Sequence, residues 1–239
     1  MITRFQAQNY KALRDVTLDL TPMHVLSGRR RSPHTSRQTE RDDIVRVLLV
    51  AEGQHERGKE DRDGALETLV RRLHQDIVQC DLDRVSRKNI HAHHGKGQGY
   101  FKKALRWIRE AEKRGYDAII LVIDQDNAPE RVQEITRAQN NQLVALRRAL
   151  DVALRTFDAW MLTDEQVLPR VLGYAVSPQR SPEDISDAKG VCTQLLGKSP
   201  MAMSQSECYA LVAREADMST LTRQCSKGFA PFAQRVRSL

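Results

Sequence analysis

Between residues 44 and 164 the chain alternates short apolar runs with amphipathic stretches, an order that predicts an α/β fold with a parallel sheet flanked by helices. Two of those runs, IVRVLLVA at 44–51 and AIILVI at 118–123, are nearly continuous in branched aliphatic residues, the composition of strands buried on both faces. The rest of the chain adds a small β unit at the N-terminus and a helical segment at the C-terminus.

In chain order, residues 1–28 read as the β unit, with Ile2, Phe5, Val16, Leu18 and Leu20 partly on a two-residue period and a turn at Gly28. Residues 29–43, RRRSPHTSRQTERDD, open on three arginines and hold no large apolar residue, so they read as a basic linker or arm with a boundary near 43. After the strand at 44–51, Leu66, Leu69, Val70, Leu73 and Ile77 share one helix face. NIHAHH at 89–94 is a strand candidate that runs into the glycine-rich GKGQG at 95–99. Phe101, Ala104, Leu105, Ile108 and Ala111 mark a second amphipathic helix, closed by Lys113, Arg114 and Gly115. A third helix is expected over about 130–148, a strand at VALRTF (152–157) and a short helix in AWMLTDEQVL. Within 165–239, Ser181-Pro182-Glu183-Asp184 reads as a helix start with serine as cap, and Ser204-x-x-Glu207 as a capping box.

The chain carries 38 Lys+Arg against 31 Asp+Glu, a net +7 that permits a polyanionic partner without requiring one. No apolar run approaches the roughly 20 residues that span a bilayer. The opening MITRFQAQNYK lacks the apolar core of a secretory signal, so no membrane partner and a cytoplasmic location are expected. Cys80, Cys192, Cys208 and Cys225 stand far apart with no CxxC pair, which suits buried thiols in a reducing compartment better than disulfides or zinc.

The acids fall where chemistry is expected. The strand VLLVA runs directly into Glu52-Gly53, with Glu56 four residues later, and AIILVI runs directly into Asp124-Gln125-Asp126. Ligand crevices of open α/β sheets lie beyond the carboxyl ends of the strands, so a parallel sheet would deliver these side chains to one place. Acids after strands are also ordinary turn formers. Clustered carboxylates repel one another, and their hard oxygens select Mg²⁺ or Mn²⁺. Asp158 follows a third strand pattern and is either a further member of the cluster or a helix cap; Asp164, six residues on, faces elsewhere on a helix. Trp160 reads as core. Lys96, Lys102 and Lys103 are either contacts to a nucleic-acid backbone or a solvated helix start. His91, His93 and His94 read as structural or surface residues, with a proton shuttle as the alternative.

E-G-x-x-E followed by a buried strand ending in D-x-D resembles a Toprim domain, the fold shared by topoisomerases, primases and overcoming-lysogenisation-defect nucleases. The ordered set AEGQHERG, HGKGQGYFKKALRWI, YDAIILVIDQDN and FDAWMLTD, within about 44–235, is similar to a family of bacterial Toprim-like proteins often found beside ATPases in phage-defence loci. The resemblance implies a Rossmannoid catalytic domain at 44–164, a helical segment at 165–239, and metal-dependent hydrolysis of phosphodiester bonds. It gives Glu52 a general acid/base or metal role, makes Glu56 a metal ligand, and has Asp124 and Asp126 hold the metal. The last acidic position, often Glu in that family, is Asp158 here.

Residues 1–28 resemble the opening strands of ABC-type recombination ATPases, yet Gly28 is followed by RRRSPHTSR rather than by a phosphate-binding loop. Nucleotide binding is therefore not expected, and 1–43 reads as an ATPase remnant or as an element that docks on a separate ATPase subunit. The alternative to a nuclease is a non-catalytic nucleic-acid-binding or ATPase-docking regulatory subunit.

Overall fold

The computed structural model describes residues 4–7, 16–19, 46–53, 56, 58–59, 62–74, 82–84, 99–143 and 145–239. The chain divides into two compact units, Met1–Arg41 and Asp42–Leu239. In the first, β1 (Arg4–Ala7) pairs antiparallel with β2 (Val16–Asp19), Arg4 opposite Asp19 and Ala7 opposite Val16.

The second unit begins with β3 (Val47–Ala51), a two-stranded ribbon of β4 (Gly58–Lys59) and β5 (Arg62–Asp63), and α1 (Ala65–Leu73). Then come β6 (Leu82–Arg84), α2 (Tyr100–Lys113), β7 (Ala118–Asp124), α3 (Glu130–Gln139) and β8 (Arg147–Ala153). The main sheet has the order β6-β3-β7-β8 with every pair parallel. The expected α/β class with a parallel, helix-flanked sheet is what the structure has.

Burial on both faces follows from the two-residue period of a strand. Val47, Leu49 and Ala51 of β3 and Ala118, Ile120 and Val122 of β7 face one core, shared with α1 and the C-terminal helices. Leu48 and Val50 of β3 and Ile119, Leu121 and Ile123 of β7 face the other, shared with α2 and α3. The apolar stripe of α2, Ala104, Trp107, Ile108 and Ala111, is the face buried in that second layer.

The C-terminal part consists of α4 (Asp158–Met161), α5 (Val167–Leu172), a 3-10 turn (Pro182–Asp184), α6 (Ala188–Gly197), α7 (Gln205–Glu215), α8 (Met218–Gln224) and α9 (Phe229–Arg237). These elements contribute to the same core as one sheet face. Trp160 lies at its centre, with ring centroids 5.1 Å from Phe157, 5.1 Å from Phe229 and 5.5 Å from Phe232. The core reading of Trp160 holds, as does the capping box: Ser204 and Glu207 exchange both bonds at the start of α7. Among the described residues no helix is long and apolar enough to cross a membrane.

Three expectations change. The third helix ends at Gln139 rather than near 148, and the strand after it covers 147–153 rather than 152–157. Two asparagines, Asn140 and Asn141, end the helix, and the Gln139 amide bonds across to β8, accepting from Leu150 N–H at 2.8 Å and donating to Arg148 O at 3.1 Å. Arg147 and Arg148 disguise the strand because β8 lies at the sheet edge, where a charged chain can reach water. Ser181 makes no cap bond, and the following turn is 3-10. Its Glu183 carboxylate instead accepts the backbone N–H groups of Lys227, Gly228 and Phe229 at 3.0, 2.8 and 3.2 Å, ahead of α9. The third concerns β6, which the sequence does not announce; the NIHAHH candidate at 89–94 lies outside the described residues.

Candidate functional site

After β3 the chain forms β6 on one side of it, then crosses to form β7 on the other. The strand order therefore switches between β3 and β7, and the crevice beyond their carboxyl ends is where ligands bind in open α/β sheets. Ala51 pairs with Val122, so Glu52, just past the end of β3, stands beside the last residues of β7, Ile123 and Asp124. Glu52 and Asp124 meet there, with the Asp124 N–H donating to Glu52 Oε2 at 3.3 Å.

Each acid is held by a different donor. Glu52 Oε1 accepts the Tyr100 hydroxyl at 3.1 Å. Asp124 Oδ1 accepts the Phe157 N–H at 2.7 Å. Glu56 is buried, 5% exposed, and bonded by the Gly53 backbone. A Cβ built at Gly53 would overlap Glu56 Oε1, so this glycine is what lets the Glu56 carboxylate fold back beneath the strand end. Asp158, the first residue of α4, is also buried, and its Oδ1 accepts the Tyr209 hydroxyl and, at 3.2 Å, Gln205 Nε2.

Electrostatics bind the four into one cluster. Burial, then the neighbouring charges of Asp124, Asp158 and Glu52, push the Glu56 carboxyl well above its ordinary range, against the Gly53 N–H. Burial likewise raises Asp124 to about 7, with the Phe157 N–H opposing and Glu52, Asp158 and Asp126 adding to it. Two neighbouring carboxyls both shifted upward mark negative charge gathered in a poorly solvated place.

Asp126 is placed differently. Its backbone is left-handed, φ 49°, as a short Asp tolerates, and its Oδ2 takes a 2.6 Å ion pair from Arg131 Nη1. The same nitrogen bonds Asp124 O at 2.6 Å and lies 4.0 Å from Glu52 Oε2. Arg131 and Lys103 both stack on the Tyr100 ring, at 4.7 and 4.4 Å from its centroid. Lys103 and Glu52 line one recess with Tyr100 and Trp107, whereas Lys102 is exposed on α2. Lys96, His91, His93 and His94 lie outside the described residues.

The glycine-rich stretch before α2 has a packing role at its last position. A Cβ on Gly99 would strike the Glu134 carboxylate, which accepts the Tyr100 N–H at 2.5 Å and so ties the start of α2 to α3. Asp164 is structural: its carboxylate accepts the N–H groups of Gln166, Val167 and Asp217. Cys192, Cys208 and Cys225 are free and buried, with burial raising them to about 12, 11 and 12, which makes them inert.

Sequence reasoning missed Tyr100, Arg131, Gln205 and Tyr209. Arg131 had a usable signal, standing seven residues after Asp124 in the first turn of α3, within reach of a strand end. Tyr209 had none, since it is one apolar-face residue of a well-capped helix 51 positions from its partner.

The donor set fits a hard divalent cation in kind: carboxylate oxygens, mutually repelling, at the switch point of the sheet. As they stand, each acid is turned to its own protein donor, and among the described residues no group of three or more His, Cys, Asp or Glu is arranged to hold an ion. No family model, no curated protein and no solved structure matches the chain.

Proposed function

We propose that the chain is a Mg²⁺- or Mn²⁺-dependent nuclease of Toprim type that hydrolyses phosphodiester bonds of nucleic acid, acting with an ABC-type ATPase subunit in phage defence. One observation carries the reading: Glu52, Glu56, Asp124 and Asp158 converge at the switch point between β3 and β7, where burial and mutual repulsion raise Glu56 and Asp124. Glu52, Glu56, Asp124 and Asp158 would hold the ion, with Asp126 joining if it leaves Arg131. A bound divalent ion supplies positive charge to phosphate oxygens and makes water more acidic.

The chain's own groups do the rest. Glu52, oriented by the Tyr100 hydroxyl, is placed to take a proton from attacking water as its oxygen bonds to phosphorus. Asp124, its Oδ1 fixed by the Phe157 N–H, would serve as an ionised ligand, and the ester oxygen that leaves takes its proton from solvent water. Lys103 and Arg131, stacked on Tyr100 beside Glu52, present cations to the phosphate backbone, and the sequence adds Lys96 and Lys102 as candidates for the same role. The ATPase partner and the defence role rest on the family resemblance alone.

The test is cleavage of plasmid DNA and of RNA with Mn²⁺, by wild type and by Glu52→Ala and Asp124→Ala. Loss of cleavage in both folded variants is expected; full activity in either overturns the reading. A second reading, a non-catalytic nucleic-acid-binding or ATPase-docking subunit, is favoured by the Asp126–Arg131 pair, which satisfies a carboxylate with no ion. It predicts binding that survives EDTA and weakens steeply with salt.

A further inference from the structure

Outside the strand ends, one polar constellation in the second unit reaches the acidic cluster from the C-terminal helices. Tyr209 is 4% exposed, and its hydroxyl donates to Asp158 Oδ1. Gln205, one turn earlier on α7, donates Nε2 both to that oxygen at 3.2 Å and to the Tyr209 hydroxyl at 2.7 Å. Cys192 Sγ on α6 lies 3.6 Å from the Asp158 carbonyl. Asp158 is therefore gripped at its carboxylate and its backbone by helices that contribute no acid to the cluster. Among the described residues both hydrogen bonds to its carboxylate fall on Oδ1, and Oδ2 has none. A carboxylate held through one oxygen and open at the other is how proteins orient an acid toward a third group.

We propose that Tyr209 is a positioning residue: with Gln205 it fixes the Asp158 carboxylate so that Oδ2 serves a divalent cation shared with Glu56 and Asp124, making α7 part of the site. This rests on the acids being a cation site, the reading given under Proposed function. The Tyr209 hydroxyl is buried and its bond runs to Asp158 Oδ1, so it is the donor of that pair. Phenylalanine at 209 keeps the ring in the core and removes only the donor.

The experiment is a Mn²⁺ titration read by thermal shift in full-length wild type, Asp158→Asn, Tyr209→Phe, the double variant, and Gln205→Ala, with no nucleic acid present. Removing such an orienting bond typically weakens metal affinity about 10–100-fold. The Mn²⁺ concentration giving the half-maximal shift should rise by about tenfold or more in Tyr209→Phe, and the double variant should bind no more weakly than Asp158→Asn alone. A merely structural tyrosine would lower the melting temperature without Mn²⁺ and leave that concentration unchanged, which overturns the proposal. So does tighter Mn²⁺ binding in Tyr209→Phe, which would make the bond a restraint. Should Tyr209→Phe fail to fold, Gln205→Ala decides, by the same rise or its absence. A wild-type protein that shows no shift fails the cation reading as well as this inference; a wild-type shift that Tyr209→Phe leaves intact fails this inference only.

Discussion

Neutralising Asp124 should stabilise the protein in the absence of divalent ions, by an amount that depends on pH. In the folded chain the Asp124 carboxyl is raised from its ordinary 3.8 to about 7, chiefly by burial. The folded state therefore holds a proton that the unfolded chain has lost, so wild-type stability falls as pH rises from about 4 to about 7 and is level above that. A gap of about three pH units at ~1.36 kcal/mol each caps the cost near 4 kcal/mol; allowing about half for solvent screening leaves ~2 kcal/mol. Asp124→Asn keeps an oxygen for the Phe157 N–H and removes the charge. It also relieves Glu56, for which Asp124 is the largest influence after burial. For a unit of this size ~2 kcal/mol is a rise of about 4–8 °C in melting temperature. Melts in EDTA at pH 8 and pH 4.5 should show that rise at the higher pH and a much smaller one at the lower. An Asn variant less stable than wild type at pH 8, or an equal difference at both values, would refute the electrostatic account.

Gly53→Ala should displace Glu56 at a cost of about 1 kcal/mol, because the new Cβ meets a movable carboxylate, not backbone. The same variant should raise the Mn²⁺ concentration needed in a thermal-shift titration. Glu183→Gln should cost about 2 kcal/mol in urea unfolding, since an amide cannot replace the carboxylate that takes three N–H groups before α9. Trp160→Ala should cost about 3–5 kcal/mol by emptying the centre of the aromatic cluster, and a midpoint close to wild type would contradict the packing. Lys103→Ala should weaken nucleic-acid binding at low salt and reduce the salt slope by about one, whereas an unchanged slope would remove Lys103 from the phosphate contacts.

What the sequence disclosed depended on whether a residue's role was local. Leu48 to Ala51 and Ile119 to Ile123 announce buried strands because both faces of each strand are apolar, and Glu52 and Asp124 are found by standing next in line. The capping box at Ser204 is legible because its two partners are three residues apart. The limits of β8 were hidden because edge position lets Arg147 and Arg148 occupy strand sites, so pattern gave way to topology. Glu183 shows the same effect at longer range, for its helix-start pattern is real but the helix it serves begins 46 residues later. Arg131 and Tyr209 act on acids that only the folded sheet brings near, and no periodicity records that.

The grip of α7 on Asp158 has a consequence for the order of events during synthesis. Glu52, Glu56 and Asp124 leave the ribosome well before Tyr209 and Gln205, which alone bond the Asp158 carboxylate among the described residues. The sheet can form first, but Phe229 and Phe232, which close the core around Trp160, emerge only after it. Until α7 has emerged, the Asp158 carboxylate lacks the two donors that hold it in the folded chain.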